Sequence, residues 1–569
     1  MEISGVRAEA YRMNALFKFH GGIHPPTHKT ESTAVPIAAL PLPARLVVPF
    51  RQHAGEAAVP VVQPGDYVLK GQLIGEPRGF VSSAVHAPTS GVIESIGPHP
   101  IAHPSGLPDI CAVLIPDGKE TWIEKAPVDY RNTPADVLRE HLRMSGIVGL
   151  GGAVFPSDIK LRPLRGHPNQ NIDVLILNGA ECEPYITCDD MLMRERAADV
   201  VRGGEILRFM LDARQVLIGI EDNKPEAIAA MRAAIAAENL PFEVVSIPTL
   251  YPSGSAKQLI RVLTGREVPS GKLPTDIGIQ SFNVATAYSV ARCLEQGEPL
   301  LSRIVTVTGN VAQPRNYEVL LGTPIADVLA HSQPKADTRG YLMGGPMMGL
   351  PLPATDMPLV KASNCFIAMS DALFPAPPAT LPCIRCGRCA EVCPADLQPM
   401  DLYWYARARD FGKTQSYHLF DCIECGACAY VCPSHIPLVQ YYRFAKSEIR
   451  AREQDKQAAD RARERHEFRE LRMEREKREK EEKLRAKEKA AQAAKPVPAA
   501  ESVAQADAAA ETQRKIQDAL AQAKSQSAEV QPGNTENLTP EQQAEIAEIE
   551  ARRARIRELA KSDVESPKE

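Results

Sequence analysis

Two cysteine runs decide most of what this chain can be. The first is Cys383-x-x-Cys386-x-x-Cys389-x-x-x-Cys393-Pro394, and the second is Cys422-x-x-Cys425-x-x-Cys428-x-x-x-Cys432-Pro433. Three thiolates on one tight loop hold three corners of a [4Fe–4S] cubane, and the fourth ligates the cluster of the other run. The proline that follows ends each loop, because it has a fixed φ and no N–H. The expected ligand sets are therefore Cys383, Cys386 and Cys389 with Cys432, and Cys422, Cys425 and Cys428 with Cys393. Structural zinc is the competing use of cysteine quartets. It needs a single tetrahedron and does not explain two full runs, each closed by Cys-Pro. A chain with two such clusters moves single electrons.

The other five of the 13 cysteines, Cys111, Cys182, Cys188, Cys293 and Cys365, are scattered without disulfide spacing, which fits a reducing compartment. The net charge of −5 argues against nucleic acid as a partner. Residues 1–22 have no long apolar core and no cleavage site, so no secretory signal is expected. No stretch approaches the roughly 20 apolar residues that span a bilayer. Membrane contact is expected through partners.

Residues 35–115 read as short strands broken by Pro and Gly. Gln63 to Gly75 reads as one turn-flanked strand, with Ala87 to Ile93 following at hairpin distance. The pattern resembles a lipoyl- or biotinyl-like barrel sandwich, without the lysine that carries the cofactor there. Lys70 reads as a polar turn residue. Between residues 130 and 300, apolar strands such as 174–177 and 215–220 alternate with helical stretches such as Pro225–Ala237, which argues for an α/β domain with a largely parallel sheet. Short β segments return at 303–355, with Arg303–Gly309 the clearest. In the cluster region, Pro399–Ala408 and Ile436–Ile449 read as helices. Beyond about residue 447 the composition shifts. Arg450–Ala490 alternates charge at helical spacing and reads as a solvated helix. Ala491–Pro540 reads as disordered, and Pro540–Leu559 as a last short helix.

A glycine run opens the α/β domain: Gly149-Leu150-Gly151-Gly152-Ala153-Val154-Phe155-Pro156-Ser157-Asp158-Ile159-Lys160. Glycines let a backbone approach a phosphate, and a lysine beyond them supplies charge. Leu177-Asn178-Gly179-Ala180-Glu181-Cys182-Glu183-Pro184 follows a strand end, where open α/β sheets bind ligands. An exposed loop is the plain alternative for Glu181 and Glu183. Buried structural thiols are the plain alternative for Cys182 and Cys188.

These two segments resemble the flavin-binding motifs of the flavin subunit of respiratory NADH dehydrogenase. Up to about residue 447 the chain resembles the RnfC (RsxC) family, a subunit family of the Rnf (Rsx) ion-translocating electron transport complex. Further segments carry that likeness: Phe19-His20-Gly21-Gly22-Ile23-His24-Pro25-Pro26, Gly265 to Pro274, Gly344-Gly345-Pro346-Met347, and the double cysteine run. The resemblance implies that Gly149, Gly151, Gly152 and Lys160 cradle an FMN phosphate. It places Asn178, Glu181 and Cys182 along the flavin, Glu183 and Phe155 toward the nicotinamide nucleotide, and Asn283 and Thr286 on the flavin again. Tyr251 and Gly254 match a further segment, which departs from the pattern at Ser255 and Ala256, where the respiratory flavin subunit has acidic residues.

The fold class expected is multidomain α/β and α+β. The domains are a barrel sandwich at 1–128, a Rossmann-like FMN/NADH-binding domain at 129–300, and a soluble-ligand-binding β-grasp domain at 301–365. A two-cluster ferredoxin-like domain at 366–447 and a charged tail at 448–569 complete the chain. A flavin converts between hydride transfer, which moves two electrons, and clusters, which take one. The expected function is thus an electron relay between NAD(H), FMN and two [4Fe–4S] clusters, with no proton-abstracting catalytic residue. By resemblance it is a peripheral subunit on the cytoplasmic side of the inner membrane, with another iron–sulfur subunit as partner. Two alternatives stay open: an electron-wiring adaptor with an empty flavin fold, and a diaphorase module of a soluble hydrogenase or formate dehydrogenase.

Overall fold

The computed structural model describes residues 16–103, 105, 107–162, 172–493, 514–515 and 517–518. The chain divides into two compact units, one ending at Ala459 and one beginning at Asp460.

Within the first unit, residues 46–116 build two small antiparallel sheets. One orders Leu46–Pro49, Pro108–Pro116, Gly91–Pro100 and Tyr67–Val68; the other orders Val59–Pro60, Leu73–Glu76 and Val85–His86. Leu46, Val48, Phe50, Val68, Ile74, Ile93 and Leu114 fill the space between them. The single strand expected from Gln63 to Gly75 is in fact two strands in different sheets. Gly71, at φ +85°, turns the chain from one sheet to the other. Lys70 pairs with Glu120 at 2.6 Å beside Trp122.

The α/β region carries a four-stranded, wholly parallel sheet ordered Phe242–Ile247, Gln215–Glu221, Val174–Gly179, Ile279–Asn283. These strands read as nearly continuous apolar runs because helices cover both faces. The helix expected at Pro225–Ala237 is present with those bounds, Pro225 fitting the first turn. Residues 302–369 contribute a mixed sheet ordered Ala38–Ala39, Arg315–Leu320, Ser302–Gly309, Cys365–Met369, Gly340–Met343, Leu350–Pro351. The expected domain boundary at 365 falls at the start of a strand that pairs with two neighbours, so this sheet runs on to Met369.

Residues 16–40 stand apart from the two small sheets of 46–116. They run as a strap along the parallel sheet, the cluster region and the mixed sheet, bonding Val262, Val392, Tyr251 and Glu318 in turn.

In the cluster region each cysteine run contains a short helix just ahead of its last cysteine, Arg388–Glu391 or Ala427–Tyr430, and is followed by a longer helix. The second long helix runs without a break from Leu438 to Ala493. Its first turns bury Leu438, Val439, Tyr442, Ala445 and Ile449 against the cluster core. The expected boundary at 447 is therefore inside a helix. In the second unit, residues 461–490 of this helix are exposed and carry i,i+4 pairs such as Arg472–Glu476 and Arg475–Glu479. The helix expected at 540–559 lies outside the described residues, as does nearly all of the segment 491–540.

Candidate redox site

The two cysteine runs fold as near copies. Arg385 and Glu424 sit at φ +55° and +58°, Gly387 and Gly426 at +81° and +80°, and Asp396 and His435 both at +50°. The left-handed residues fold each loop around its thiols. In both runs the residue two after the first cysteine donates its N–H to that sulfur at 3.4 Å. The start of the first run is tied to the end of the second by Leu381 N–H to the Ser434 carbonyl and by Ser434 Oγ to the Pro382 carbonyl. This tie places Cys432 beside Cys383.

The result is two cavities with four thiols each. One is lined by Cys383, Cys386, Cys389 and Cys432; the other by Cys422, Cys425, Cys428 and Cys393. Beside the thiols, Met400, Tyr403 and Ile436 line the first and Leu397, Leu402 and Tyr442 the second. Four soft donors converging on one cavity fit a cubane. The first cavity faces solvent, since Cys386 is exposed; in the second, Cys393, Cys425 and Cys428 are buried.

The flavin-type residues collect at the carboxyl ends of the parallel sheet. Strand order reverses direction across Val174–Gly179 and Ile279–Asn283, and at such a switch point a crevice opens. Asn178 and Asn283 are direct register partners there. Asn178 donates to the Gly254 carbonyl at 2.8 Å and accepts from Ala180 N–H. Asn283 caps the helix Val284–Gln296 through Ala285 N–H and donates to Asp189 at 2.6 Å. The glycine loop lies beside this cap: a Cβ on Gly151 would stand 3.3 Å from that of Asn283, while Gly152, at φ +116°, borders open space. Exposed glycine backbone next to a helix N-terminus fits a phosphate.

Lys160 lies on the short helix Ser157–Lys160 with Nζ on the Ser281 carbonyl and over the Phe282 ring. Burial pulls its ammonium down to about 8. No carboxylate pairs with it among the described residues, so its charge remains available to an anion. Phe155 closes the glycine turn by accepting from Gly149 N–H at 2.8 Å.

Some expected roles change. Thr286 is fully buried behind the glycine loop, accepting from Leu150 N–H at 2.9 Å and donating to the Val148 carbonyl. These bonds shape the glycine loop. Glu181 and Glu183 are not an exposed loop. The Glu181 carboxylate takes Asp189 N–H and Asp190 N–H at the start of the helix Cys188–Glu195. Glu183 takes Met347 and Met348 N–H at 2.7 and 3.0 Å from the Gly344–Gly349 turn. Burial pushes the Glu181, Glu183 and Asp189 carboxyls above their ordinary range. Cys182 is half-buried and accepts Gly254 N–H at 3.3 Å, and burial raises its thiol. Cys188 is buried in an apolar cluster, as a structural thiol would be.

Tyr251 is buried, with its hydroxyl on the Cys425 carbonyl at 2.6 Å. Tyr251, Ile23, Cys425 and Ala427 form one apolar cluster, with Cys182 and Met347 at its edge. The Cys425 cavity thus abuts the flavin-side residues. Sequence reasoning missed Lys29, Asp189 and Arg303, whose Nη2 holds the Leu150 carbonyl at 3.1 Å. A basic residue on another domain's strand gives no local signal.

Comparison with known proteins agrees with this layout. The Nuo51 FMN-binding domain model matches residues 142–292, the RnfC barrel sandwich hybrid domain 17–119, the 4Fe-4S dicluster domain 382–436 and the SLBB domain 304–351. The matched models make FMN and [4Fe–4S] clusters the cofactors of this chain. The chain is 47% identical over 470 residues to the RnfC subunit of the ion-translocating oxidoreductase complex of Erwinia tasmaniensis, covering 82% of this chain and 57% of that protein. To the protein of that name from Pectobacterium atrosepticum it is 45% identical over 82% of this chain and 67% of that one. For Pseudomonas aeruginosa the identity is 47%, over 81% and 59%. The chain spans less than two thirds of the length of the first of these relatives. It belongs to the RnfC family of ion-translocating oxidoreductase complex subunits.

Proposed function

We propose that this chain is the electron-transfer subunit of a membrane-bound ion-translocating oxidoreductase, relaying electrons between NAD(H) and a partner iron–sulfur subunit. Bound FMN supplies the exchange between hydride and single-electron chemistry. The observation that carries the reading is the seat of the Cys425 loop on Tyr251, which sets one thiol-lined cavity against the flavin-side residues. The Cys383 cavity, with Cys386 exposed, is then the side that meets the partner. Gly149, Gly151, Gly152 and Lys160 would hold the phosphate; Asn178, Glu181, Cys182, Tyr251, Gly254 and Asn283 would frame the flavin; Phe155 and Glu183 would border the nucleotide. The thiols would ligate in the two crossed sets. The parallel sheet order supports a Rossmann-like fold for the flavin domain, and the helix Ile325–His331 with its mixed sheet supports a β-grasp domain.

Among the described residues no helix is long and apolar enough to cross a membrane. Attachment to the cytoplasmic face of the inner membrane through partner subunits is part of the proposal. Anaerobic purification from membranes, with iron, sulfide and FMN quantified, tests it. FMN, both clusters and co-purifying membrane subunits are expected. A chain with clusters but never FMN would support the wiring adaptor instead.

A further inference from the structure

Midway along the strap at residues 16–40 lies a buried lysine outside the flavin-type segments. Lys29 is 7% exposed. Its Nζ donates to the carbonyls of Glu181 at 2.8 Å, Glu183 at 3.0 Å and Ile186 at 2.5 Å. An ammonium has three protons, and here all three go to one loop. That loop is not self-supporting: Glu181 and Tyr185 sit at φ +52° and +69°, a region non-glycine residues rarely adopt. The strap supports it further. Tyr185 N–H bonds the Thr27 carbonyl at 2.8 Å, and the His28 ring stacks on Tyr185 with centroids 4.5 Å apart. Ser32 Oγ bonds Thr187 Oγ1 at 2.8 Å.

We infer that Lys29 is a positioning residue for the flavin–nucleotide site, holding the Glu181–Ile186 loop in the path that presents Glu181, Cys182 and Glu183. The inference rests on the reading of that loop as the flavin side of the site. Peptide planarity gives it direction: a carbonyl turned toward Lys29 turns the next N–H away from it, so the Cys182 N–H faces away from the strap. Lys29 also places a cation behind the loop, near Glu181, Glu221 and Lys224. Lys224 is a natural control. It is equally buried, but its Nζ goes to Glu221 and Asn223, at 2.9 Å each, and not to the loop.

The test uses the full-length chain, anaerobically loaded with clusters, and measures FMN affinity by flavin fluorescence and the midpoint potential of the bound flavin. Lys29→Met is expected to weaken FMN about tenfold or more, the scale of losing charged hydrogen bonds in a buried site, while the iron content is kept. Its flavin potential falls, because the reduced, anionic cofactor loses a nearby cation. Lys29→Arg keeps the charge but not three converging donors, so the potential returns and the affinity recovers only in part. Lys224→Met lowers Tm yet leaves FMN affinity within about twofold, since an unpaired buried Glu221 costs stability and not loop contacts. Wild-type affinity in Lys29→Met, or in Lys29→Arg should the first variant not fold, overturns the assignment. So does equal loss of FMN in Lys224→Met, which would make the effect one of general stability. Failure of the wild-type chain to take up FMN overturns the flavin reading itself, and Lys29's role with it.

Discussion

In the cluster region all eight thiols of the two cavities lie between Cys383 and Cys432, on two loops that repeat each other down to the same left-handed positions. In the flavin region the groups that shape the site come from Lys29, Gly151, Glu183, Tyr251, Asn283 and the Met347 turn, spread over most of the first unit. A cubane needs only soft donors at fixed spacing, and spacing is a local property of sequence. A dinucleotide-type crevice needs strand ends, a helix cap and turned carbonyls, and these are brought together by the sheet. Damage to the two regions should therefore differ: discrete in the first, graded in the second.

The largest effect is expected at the crossed ligand. Cys393 belongs in sequence to the first run but lines the cavity of the second. Cys393→Ser should remove the cluster of Cys422, Cys425 and Cys428, lowering iron from about eight to about four atoms per chain. Iron analysis with EPR checks this, and loss of the Cys383-side signal instead would mean uncrossed ligation.

Gly345→Ala comes next. A Cβ there would stand 2.0 Å from Glu183 Cγ, so the carboxylate must leave the Met347 turn. Small displacements of positioned groups cost about a hundredfold in rate. NADH-dependent reduction of an artificial acceptor should fall on that scale, with iron content unchanged.

Lys160→Ala should weaken FMN about tenfold through loss of a charge-assisted contact. The pH dependence has a definite sign. In the free site Lys160 loses its proton near pH 8, because burial lowers it. A dianionic phosphate binds the charged form, so FMN affinity should fall as pH rises through about 8, by up to about tenfold per unit. In Lys160→Ala that slope should vanish; an unchanged slope would place the phosphate elsewhere.

The smallest effect is expected in the second unit. Among the described residues, Ile449 is the last buried one of the long helix, and residues 461–490 are exposed. Truncation after Ala459 should leave FMN and iron content as in the full chain. A cut at 447 would remove Ile449 from the cluster core and is expected to cost about 2 kcal/mol or more.

What was legible in the sequence follows the same division. The grouping of the eight thiols into two cavities follows from their spacing, and the apolar runs at 174–177 and 215–220 announced the parallel sheet. The strand split at Gly71 was hidden, because alternation continues through a turn that only a left-handed glycine reveals. Thr286 carried the right motif, but its hydroxyl serves the backbone of the glycine loop. Lys29 gave no signal, since its three carbonyl acceptors are main-chain atoms on a distant segment, and main-chain acceptors have no residue type to read.

In the proposed relay, the Cys422-side cluster stands between the flavin site and the exposed Cys383-side cluster. The direct test mixes the full-length, chemically reduced, FMN-loaded chain with NAD+ and follows each cluster by freeze-quench EPR, in wild type and in Cys428→Ser. Both cluster signals are expected to decay in wild type as NADH appears, while in Cys428→Ser the surviving Cys383-side cluster stays reduced. Reoxidation of that cluster by NAD+ at the wild-type rate in Cys428→Ser would contradict it.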